Sequence, residues 1–391
     1  MIKKSIEIEI FNLIKKIVKD GPKELHAPFF SKKENKYLKD CINSNVVSTI
    51  GKYTFQLEKD LKKFTKAKYV IVVNTGTSAL HLSLIGCNLK NSEEVLMPAF
   101  NFIASANATS YLGGIPHFVD IEKNNLGIDP EKLDKHLSKI LKKRKKYFVN
   151  KFTGNKVNIL IITHIFGHPA QIDKIMLVAK KYNLKVIEDA CEGFGSYFKM
   201  KHLGTFGNIG VLSFNGNKII TTGGGGAILT NDYKLYIKLR HLSNVSKLKH
   251  SWEYSCNEVG YNYRMPNINA ALGCAQLKNI KNILLAKRIL HKKYRSIFEN
   301  NKDIILFNEP KSCRSNYWLQ ILILNNKNKK TLNKILNKMN KFGFHARPVW
   351  RLLNENKPYK KCPAMNLKVS KEMQDKIINI PSSPGIILKG H

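Results

Sequence analysis

The sequence predicts an α/β protein with a mostly parallel central sheet of seven strands and a smaller C-terminal α+β domain. Its 391 residues, 43% of them hydrophobic, suffice for a sizeable core and for two domains. Strand and helix patterns alternate as far as residue 230, which is typical of a parallel sheet with helices on both faces. Beyond Leu277 the chain changes to long amphipathic helices rich in Lys and Asn, with two strand-like runs at 317–324 and 344–349.

The N-terminal region is predicted to be helical. Residues 1–20 carry apolar side chains at helical spacing and end at Gly21-Pro22, and residues 31–41 predict a second helix. We therefore expect an N-terminal helical extension at 1–45, a large domain at 46–280 and a small C-terminal domain at 281–391.

Seven apolar runs rich in β-branched residues are the predicted strands of the central sheet. They are 69–74, 94–99, 115–120, 157–166, 185–190, 209–214 and 227–230, and helical patterns at 78–86, 104–111 and 173–182 lie between several of them. The charged stretches 142–147 and 150–156 predict an exposed insertion before the fourth strand.

The net charge of +38, from 66 Lys and Arg against 28 Asp and Glu, is far from ordinary. Such an excess is typical of proteins that bind nucleic acid or an anionic membrane surface, and also of a Lys- and Asn-rich compositional bias. The basic residues are scattered, with one block at 142–146, and no basic stripe carries interleaved aromatic residues. We favour the compositional bias and expect neither a nucleic-acid nor a membrane partner.

The seven cysteines form no Cys-x-x-Cys pair, which argues against a zinc site and a disulfide framework and fits a reducing cytosol. Charges at residues 3, 4, 7 and 9 leave no apolar core for a signal peptide, and the longest apolar run, 159–166, is too short to cross a bilayer. His164 and His168 are four residues apart, but Gly167 and Pro169 interrupt a shared helix face. We interpret them as structural histidines, and we expect a cytoplasmic protein without a metal site.

One lysine, Lys218, differs from the many solvated ones. It lies between the apolar run 209–214 and four glycines, 223–226, that lead into the next strand. Because its neighbours are apolar or small, we expect its amine at the end of a buried strand, where partial desolvation favours a nucleophilic amine. The glycines do not open a helix, so they predict a tight turn rather than a phosphate-binding loop. On this stretch alone, a structural turn and a carbonyl-reactive lysine both remain open.

A carboxylate upstream of Lys218, Asp189, ends the predicted strand 185–190. Ligands of open α/β sheets bind at the carboxyl ends of strands. A lysine and a carboxylate at such positions suit pyridoxal phosphate (PLP), because the lysine can form an imine with the cofactor and the carboxylate can keep its pyridine nitrogen protonated. A helix N-cap is the alternative for Asp189, and the presence of Lys218 makes it the weaker one.

Six motifs, in order along the chain, carry a family resemblance. They are NTGTSAL at 74–80, MPAFNFI at 97–103, THIFGHP at 163–169, EDACE at 188–192, SFNGNK at 213–218 and GYNYRMP at 260–266. From about residue 47 to 381 the chain resembles the DegT/DnrJ/EryC1/StrS family of PLP-dependent nucleotide-sugar aminotransferases. Within it, the chain is most similar to the branch that aminates 4-keto-6-deoxy-N-acetylhexosamine nucleotides on routes to bacillosamine and legionaminic acid.

The resemblance implies fold type I, the aspartate-aminotransferase-like fold, working as a homodimer with PLP at the interface. It implies that Lys218 holds the cofactor covalently and that Asp189 binds the pyridine nitrogen. Asn262 matches an asparagine that reaches across the interface to the partner's cofactor phosphate, and a turn residue is its alternative. By the same resemblance, residues 46–51 form a strand and loop near the sugar of the substrate.

The remaining contacts follow from the same resemblance. Gly76 and Thr77 at a helix N-terminus, together with Ser213, match the phosphate-binding positions, with a Ser/Thr N-cap as the alternative there. Phe102 matches the aromatic residue that stacks on the pyridine ring. Glu192 falls beside the ring hydroxyl, where the family more often has Gln or His. Arg347 is a candidate contact to the substrate's phosphates, and a surface ion pair is its alternative.

The implied reaction is a ping-pong transamination with L-glutamate as donor. The acceptor is the C4 ketone of a UDP- or GDP-linked 2-acetamido-2,6-dideoxy-4-ketohexose for surface glycan synthesis, and the freed Lys218 amine moves the proton. An aminotransferase of 3-keto sugar nucleotides shares every cofactor residue and remains an alternative. A branch that removes a hydroxyl has histidine at the lysine position, so Lys218 excludes it. A nucleic-acid-binding function rests on charge alone.

Overall fold

The computed structural model describes residues 5–325 and 329–388. The outermost residues of the predicted N-terminal extension and small domain, 1–4 and 389–391, lie outside these ranges, as do residues 326–328.

The helices of the described ranges include two long ones in the C-terminal third. They are α1 (Ile6–Val18), α2 (Lys32–Asn43), α3 (Lys52–Thr65), α4 (Gly76–Gly86), α5 (Ala104–Tyr111), α6 (Pro130–Ile140), α7 (Ile172–Lys181), α8 (Tyr233–Ser243), α9 (Asn267–Lys278), α10 (Ile280–Phe298), α11 (Lys329–Lys341) and α12 (Lys368–Gln374). The strands are β1 (Tyr69–Val73), β2 (Glu94–Pro98), β3 (Ile115–Val119), β4 (Leu141–Arg144), β5 (Tyr147–Asn150), β6 (Lys156–Thr163), β7 (Lys185–Asp189), β8 (Tyr197–Phe198), β9 (Lys201–His202), β10 (Ile209–Ser213), β11 (Gly226–Thr230), β12 (Ile304–Leu306), β13 (Cys313–Arg314), β14 (Gln320–Leu324), β15 (Arg347–Pro348) and β16 (Ile377–Ile380).

The central sheet runs in the order β1-β11-β10-β7-β6-β2-β3, and these strands correspond to the seven predicted ones. The pairings from β10 through β3 are parallel, whereas β11 is antiparallel to both β1 and β10. β10 continues into β11 through residues 214–225 without a helix, and parallel neighbours are usually joined by a helical crossover. The predicted α/β class is confirmed, and the sheet is mixed: among the seven predicted strands only β11 is reversed.

A hairpin of β4 and β5 extends the central sheet to nine strands in the described ranges, so the predicted count of seven was wrong. β5 pairs antiparallel with the start of β6, in the stretch predicted as an exposed insertion. Lys142–Lys146 are exposed as expected, but Asn150 is buried and donates from Nδ2 to Glu94. This buried hydrogen bond fixes the hairpin to the sheet, and the charge pattern gave no sign of it.

Both faces of the central sheet are covered, as its near-continuous apolar strands require. Side chains alternate between the faces along each strand. Ile159 and Val211 enter one apolar core, while Leu160 and Leu212 enter the other. None of the described helices combines the length and apolar character that crossing a membrane requires.

A second sheet, β12-β14-β16-β15, forms the C-terminal α+β part. Helix α1 packs against α10 and α11, and its Ile10 and Ile14 share a core with Leu322 and Ile335. Helix α1 is therefore part of the small domain's core, whereas α2 packs against α9. The boundaries 1–45, 46–280 and 281–391 stay a prediction.

Four predicted strand segments are shorter or absent. Residues 46–51 form an irregular, mostly exposed segment rather than a strand, and the carbonyl of Ser48 accepts from the N–H of Asn267. The run 157–166 ends as a strand at Thr163, because Phe166 has φ of 55° in a 3₁₀ turn. The run 317–324 is extended only from Gln320, and 344–349 only at Arg347–Pro348.

Candidate active site

A cavity of about 390 Å³ lies at the carboxyl ends of the central strands. Strands β6, β7 and β10 each contribute their last residue to its wall, and the small domain contributes two tryptophans. Eight predicted site residues line the cavity: Gly76, Thr77, Phe102, Asp189, Glu192, Ser213, Lys218 and Arg347. The ninth, Asn262, does not.

The Lys218 amine is nearly enclosed, with its side chain only 14% exposed. Nζ lies 3.5 Å from Oε1 of Glu192 and 3.9 Å from the centroid of the Trp318 ring. The turn that presents it is closed by backbone hydrogen bonds to Phe214, and Gly223 adopts φ of 79°, in the left-handed region that favours glycine. The predicted glycine turn is confirmed, and it places a single amine between a carboxyl group and an aromatic face.

The carboxyl group beside this lysine, Glu192, is buried. Its Oε2 accepts a hydrogen bond from the backbone N–H of Phe166 at 2.6 Å. Burial raises the pKa of Glu192 to about 7, although the charge of Lys218 and the Phe166 N–H act in the opposite direction. The carboxyl group therefore changes its protonation state near neutral pH.

We expect Glu192→Gln to remove a pH dependence from the stability of the cofactor-free protein. The folded pKa of about 7 lies above the ordinary 4.5, so the folded state binds the additional proton in that interval. Stability from the protonated carboxyl is complete below the ordinary pKa and is lost as pH rises through the folded one. Relative to the variant, the wild-type free energy of unfolding should fall by about 3 kcal/mol from about pH 4 to about pH 8. Urea unfolding of both proteins measures this, and parallel pH curves would contradict it.

Asp189, the last residue of β7, is buried in the cavity wall. Its Oδ2 accepts from Oγ of Ser105 at 2.8 Å, and its Oδ1 accepts from the N–H of Cys191 at 3.3 Å. Ser105 itself accepts from Nδ2 of Asn101 at 3.2 Å. No helix begins directly after Asp189 in the described chain, so the N-cap alternative fails. The arrangement holds a carboxylate in place for a ligand.

The start of α4 forms a cradle for an anion. Thr75 is the N-cap, and its Oγ1 accepts from the N–H of Ser78 at 2.9 Å. Gly76 and Thr77 are the first helical residues, whose N–H groups have no partner inside a helix. A Cβ on Gly76 would come within 3.0 Å of Cβ of Ser213, so glycine is needed for this close approach. The N-cap and the anion site are both present, because the cap is Thr75 and the free N–H groups belong to the residues that follow it.

Aromatic side chains surround the mouth of the cavity. Phe102 is 49% exposed and meets Trp350 edge to face, with ring centroids 5.9 Å apart. Trp350 stacks on Phe166 at 5.4 Å. Arg347, exposed on β15, lies at the same mouth. A cation and exposed aromatic faces at one opening suit a ligand with both phosphate and ring groups.

Asn262 lies outside the cavity lining of its own chain. It is exposed, and its backbone forms an isolated β-bridge with Asn244. Its predicted role across a dimer interface stays a prediction.

The two motif histidines are both buried. His164 lies 3.1 Å from Oε2 of Glu188 through Nε2, and its Nδ1 accepts from the N–H of Ala170. His168 is buried, and burial lowers its pKa to about 3. In the described part of the chain no group of three or more His, Cys, Asp or Glu side chains is placed to hold a metal ion.

Sequence reasoning missed Ser105, Thr163 and Trp318. Thr163 stands opposite Asp189 in the β6–β7 register, and its buried Oγ1 has no hydrogen-bond partner among the described residues although it lines the cavity. Its position at a strand end was a usable signal, because ligands gather there. Trp318 enters from the small domain, and no sequence pattern linked it to Lys218.

Comparison with known proteins places the chain in a family. The model of the DegT/DnrJ/EryC1/StrS aminotransferase family matches residues 28–389. The chain belongs to this family.

Two relatives and one solved structure illustrate the similarity. GDP-perosamine synthase of Escherichia coli O157:H7 is 32% identical over 93% of each chain. UDP-4-amino-4,6-dideoxy-N-acetyl-beta-L-altrosamine transaminase of Campylobacter jejuni is 32% identical over 65% of this chain and 64% of that protein. The structure of PseC from Helicobacter pylori, an aminotransferase involved in pseudoaminic acid biosynthesis, has a TM-score of 0.81, 25% identity and coverage of 91% and 92%.

As a DegT/DnrJ/EryC1/StrS aminotransferase, the protein is a PLP-dependent enzyme of fold type I, as the resemblance implied. The residues of the cavity fit this cofactor. Gly76 and Ser213 leave room for a phosphate at a helix N-terminus, and Lys218 supplies an amine for the aldehyde. The unpartnered Thr163 hydroxyl offers a further hydrogen bond to a polar ring substituent.

Proposed function

We propose that the enzyme transfers the amino group of glutamate to the C4 ketone of a UDP- or GDP-linked 2-acetamido-2,6-dideoxy-4-ketohexose, as a step in surface polysaccharide synthesis. The observation that carries the proposal is the meeting of Lys218 and Asp189 in one cavity beside an anion cradle. Membership of an aminotransferase family supports the reaction type.

The proposal assigns roles to six residues of the cavity. Bound PLP supplies an electron sink for the reacting carbon. Gly76, Thr77 and Ser213 bind the cofactor phosphate, and Asp189, held by Ser105, keeps the pyridine nitrogen protonated. The Lys218 amine, once free, carries a proton at Nζ between the reacting carbons. Phe102 covers the ring from the cavity mouth.

The printed names of the relatives support a sugar nucleotide aminated at C4. The Campylobacter relative is named for a UDP-linked 4-amino-4,6-dideoxy sugar, and the Escherichia relative for a GDP-linked sugar. The carrier therefore stays open between UDP and GDP. A bacillosamine or legionaminic acid route and a perosamine route are both compatible with the cavity.

The experiment that tests this function is amination of a substrate panel. We expect glutamate-dependent amination of UDP- or GDP-linked 4-keto sugars, with the new amine located at C4 by NMR. Free keto acids should be poor acceptors, because binding energy from the nucleotide is needed to orient the ketone. Amination of oxaloacetate with no amination of any sugar nucleotide would contradict the proposal.

Arg347→Ala should raise the KM for the sugar nucleotide about tenfold, since a charged hydrogen bond to phosphate is lost. The half-reaction with glutamate should be unchanged, because glutamate carries no phosphate. Stopped-flow and steady-state kinetics separate the two effects. Arg351→Ala is the matched control: its guanidinium lies 3.5 Å from Glu355 and outside the cavity lining. Equal slowing of both half-reactions by Arg347→Ala would contradict the assignment.

We further propose a homodimer in which Asn262 contacts the partner's cofactor phosphate. Asn262→Asp should then release PLP more readily, because a carboxylate would lie near that phosphate. Dialysis followed by cofactor absorbance measures retention, with Asn257→Asp as an exposed control in the same region. Light scattering that finds an active monomer at assay concentration would rule the arrangement out.

A further inference from the structure

A fully buried lysine contacts the backbone of Trp318, one of the residues that line the cavity. Lys287, on α10, has no exposed surface, and its Nζ donates to the backbone carbonyls of Trp318, at 2.9 Å, and of Ser382. Burial lowers the pKa of Lys287 well below its ordinary value, and no carboxylate among the described residues offsets this. These two carbonyls are the hydrogen-bond acceptors of the buried amine. Lysine is almost never fully buried unless its charge is paired, so we looked for a role of Lys287 in positioning its neighbours.

Lys287 is one of three groups that fix Trp318. The Trp318 carbonyl accepts from Lys287, and the backbone N–H of Trp318 donates to Oδ1 of Asn316 at 2.7 Å. At the other end, Nε1 of the indole donates to the carbonyl of Asn217 at 2.7 Å, one residue before Lys218. The ring is therefore held at both ends and is only 3% exposed.

The face of this fixed ring lies against the Lys218 amine. The distance from Nζ to the ring centroid is 3.9 Å, and Oε1 of Glu192 lies 3.5 Å from the same nitrogen. Both an aromatic face and a carboxylate stabilise an ammonium relative to a neutral amine.

Burial disfavours the charged forms of three other titratable groups around Lys218. Burial lowers the pKa of His26 well below its ordinary value and raises that of the Cys191 thiol well above it, so both side chains are neutral. Burial likewise disfavours the charged form of Lys287, which donates to the Trp318 carbonyl. This weakens the repulsion that a second ammonium would exert on Lys218.

We propose that Trp318 is a positioning residue for Lys218: its indole face receives the ammonium whenever the amine is detached from the cofactor, and Lys287 holds the indole in place. The role of Trp318 during the reaction rests on the proposed function. The contact between the Trp318 ring and the Lys218 amine is present in the chain without cofactor. It would keep the freed lysine in one orientation, ready to move a proton, instead of letting it sample rotamers.

The test measures the reactivity of Lys218 rather than turnover. Full-length protein, cofactor-free and loaded with pyridoxamine phosphate, is treated with trace acetic anhydride from about pH 7 to about pH 10, and acetylation of Lys218 is quantified by peptide mass spectrometry. Trp318→Leu removes the aromatic face, Trp318→Phe keeps a face without the N–H, and Lys287→Met keeps a straight apolar chain without donors. Circular dichroism confirms that each variant is folded.

We expect Lys218 to be acetylated about tenfold faster in Trp318→Leu than in the wild type near neutral pH, because less of the amine is held as ammonium. The difference should narrow toward the alkaline end, because an ordinary lysine has a pKa of about 10.4 and more of the amine is then neutral in both proteins. Trp318→Phe should stay within about twofold of the wild type. Lys287→Met should raise the rate about threefold through a less firmly held ring.

Either of two results for Trp318→Leu would overturn the proposal. Equal rates for Trp318→Leu and the wild type at neutral pH would show that the ring does not hold the charge. A gain that persists unchanged to the alkaline end would show that the ring merely shields the amine. An unchanged rate in Lys287→Met would remove Lys287 from the arrangement. Failure of the proposed function is distinguishable, because no sugar nucleotide in the substrate panel would then be aminated while the acetylation pattern of Lys218 stayed as expected.

Discussion

Lys218→Ala is expected to lower turnover by roughly 10³-fold or more, while the fold and part of the cofactor binding survive. Alanine removes the one lysine among the described residues that line the cavity. The phosphate cradle at Gly76 and Ser213 and the carboxylate of Asp189 are untouched. Steady-state amination rates and the amount of PLP that copurifies with the variant measure the two halves of this expectation.

Lys218→Arg is the matched control for charge. Arginine can keep a cation between Trp318 and Glu192, but it stays protonated and cannot bond covalently to the cofactor. It should therefore be as inactive as the alanine variant. Borohydride reduction of the wild type followed by peptide mapping should place the pyridoxyl label on Lys218. A label on any other lysine would refute the assignment.

Asp189→Asn should give folded protein that transaminates about 100-fold more slowly or worse. A neutral amide cannot keep the pyridine nitrogen protonated, so the reacting carbon loses its electron sink. The side chain is nearly isosteric and buried, so the change tests charge rather than shape. Single-turnover rates with glutamate report it directly.

Ser105→Ala is the control for position. Ser105 donates to Oδ2 of Asp189 at 2.8 Å, so its loss loosens the carboxylate without removing its charge. We expect a loss of about tenfold, well short of the effect of Asp189→Asn. If Asp189→Asn stayed within a fewfold of the wild type, Asp189 would have a structural role only.

The central sheet could be predicted from sequence because its strands are buried on both faces. Apolar runs such as 209–214 have no plausible place outside a core, and all seven predicted strands are present. The reversed strand β11 and the hairpin of β4 and β5 were missed for different reasons. The direction of β11 depends on the connection that precedes it, which has no helix. The hairpin is fixed by a buried hydrogen bond between Asn150 and Glu94, and the charged residues of its sequence do not indicate this contact.

The cavity could be predicted as far as the motifs reached. Asp189 and Ser213 are the last residues of their strands, and Lys218 lies just beyond one. They lie together because those strand ends share one edge of the sheet. Trp318 comes from another part of the chain, and only the packing of the small domain brings it to Lys218. Ser105 could not be predicted for a similar reason. In the sequence it is an ordinary helical serine, and only the fold brings its hydroxyl to Asp189.

The central claim is amination at C4 of a sugar nucleotide, and competition between ketones tests it most directly. The measurement is kcat/KM with glutamate for 4-keto and 3-keto sugar nucleotides carried by the same nucleotide, because this ratio compares the two transition states from a common enzyme. We predict a preference for the 4-keto compound of at least about 100-fold. Equal efficiency, or a preference for the 3-keto compound, would contradict the account and assign the enzyme to the 3-keto class.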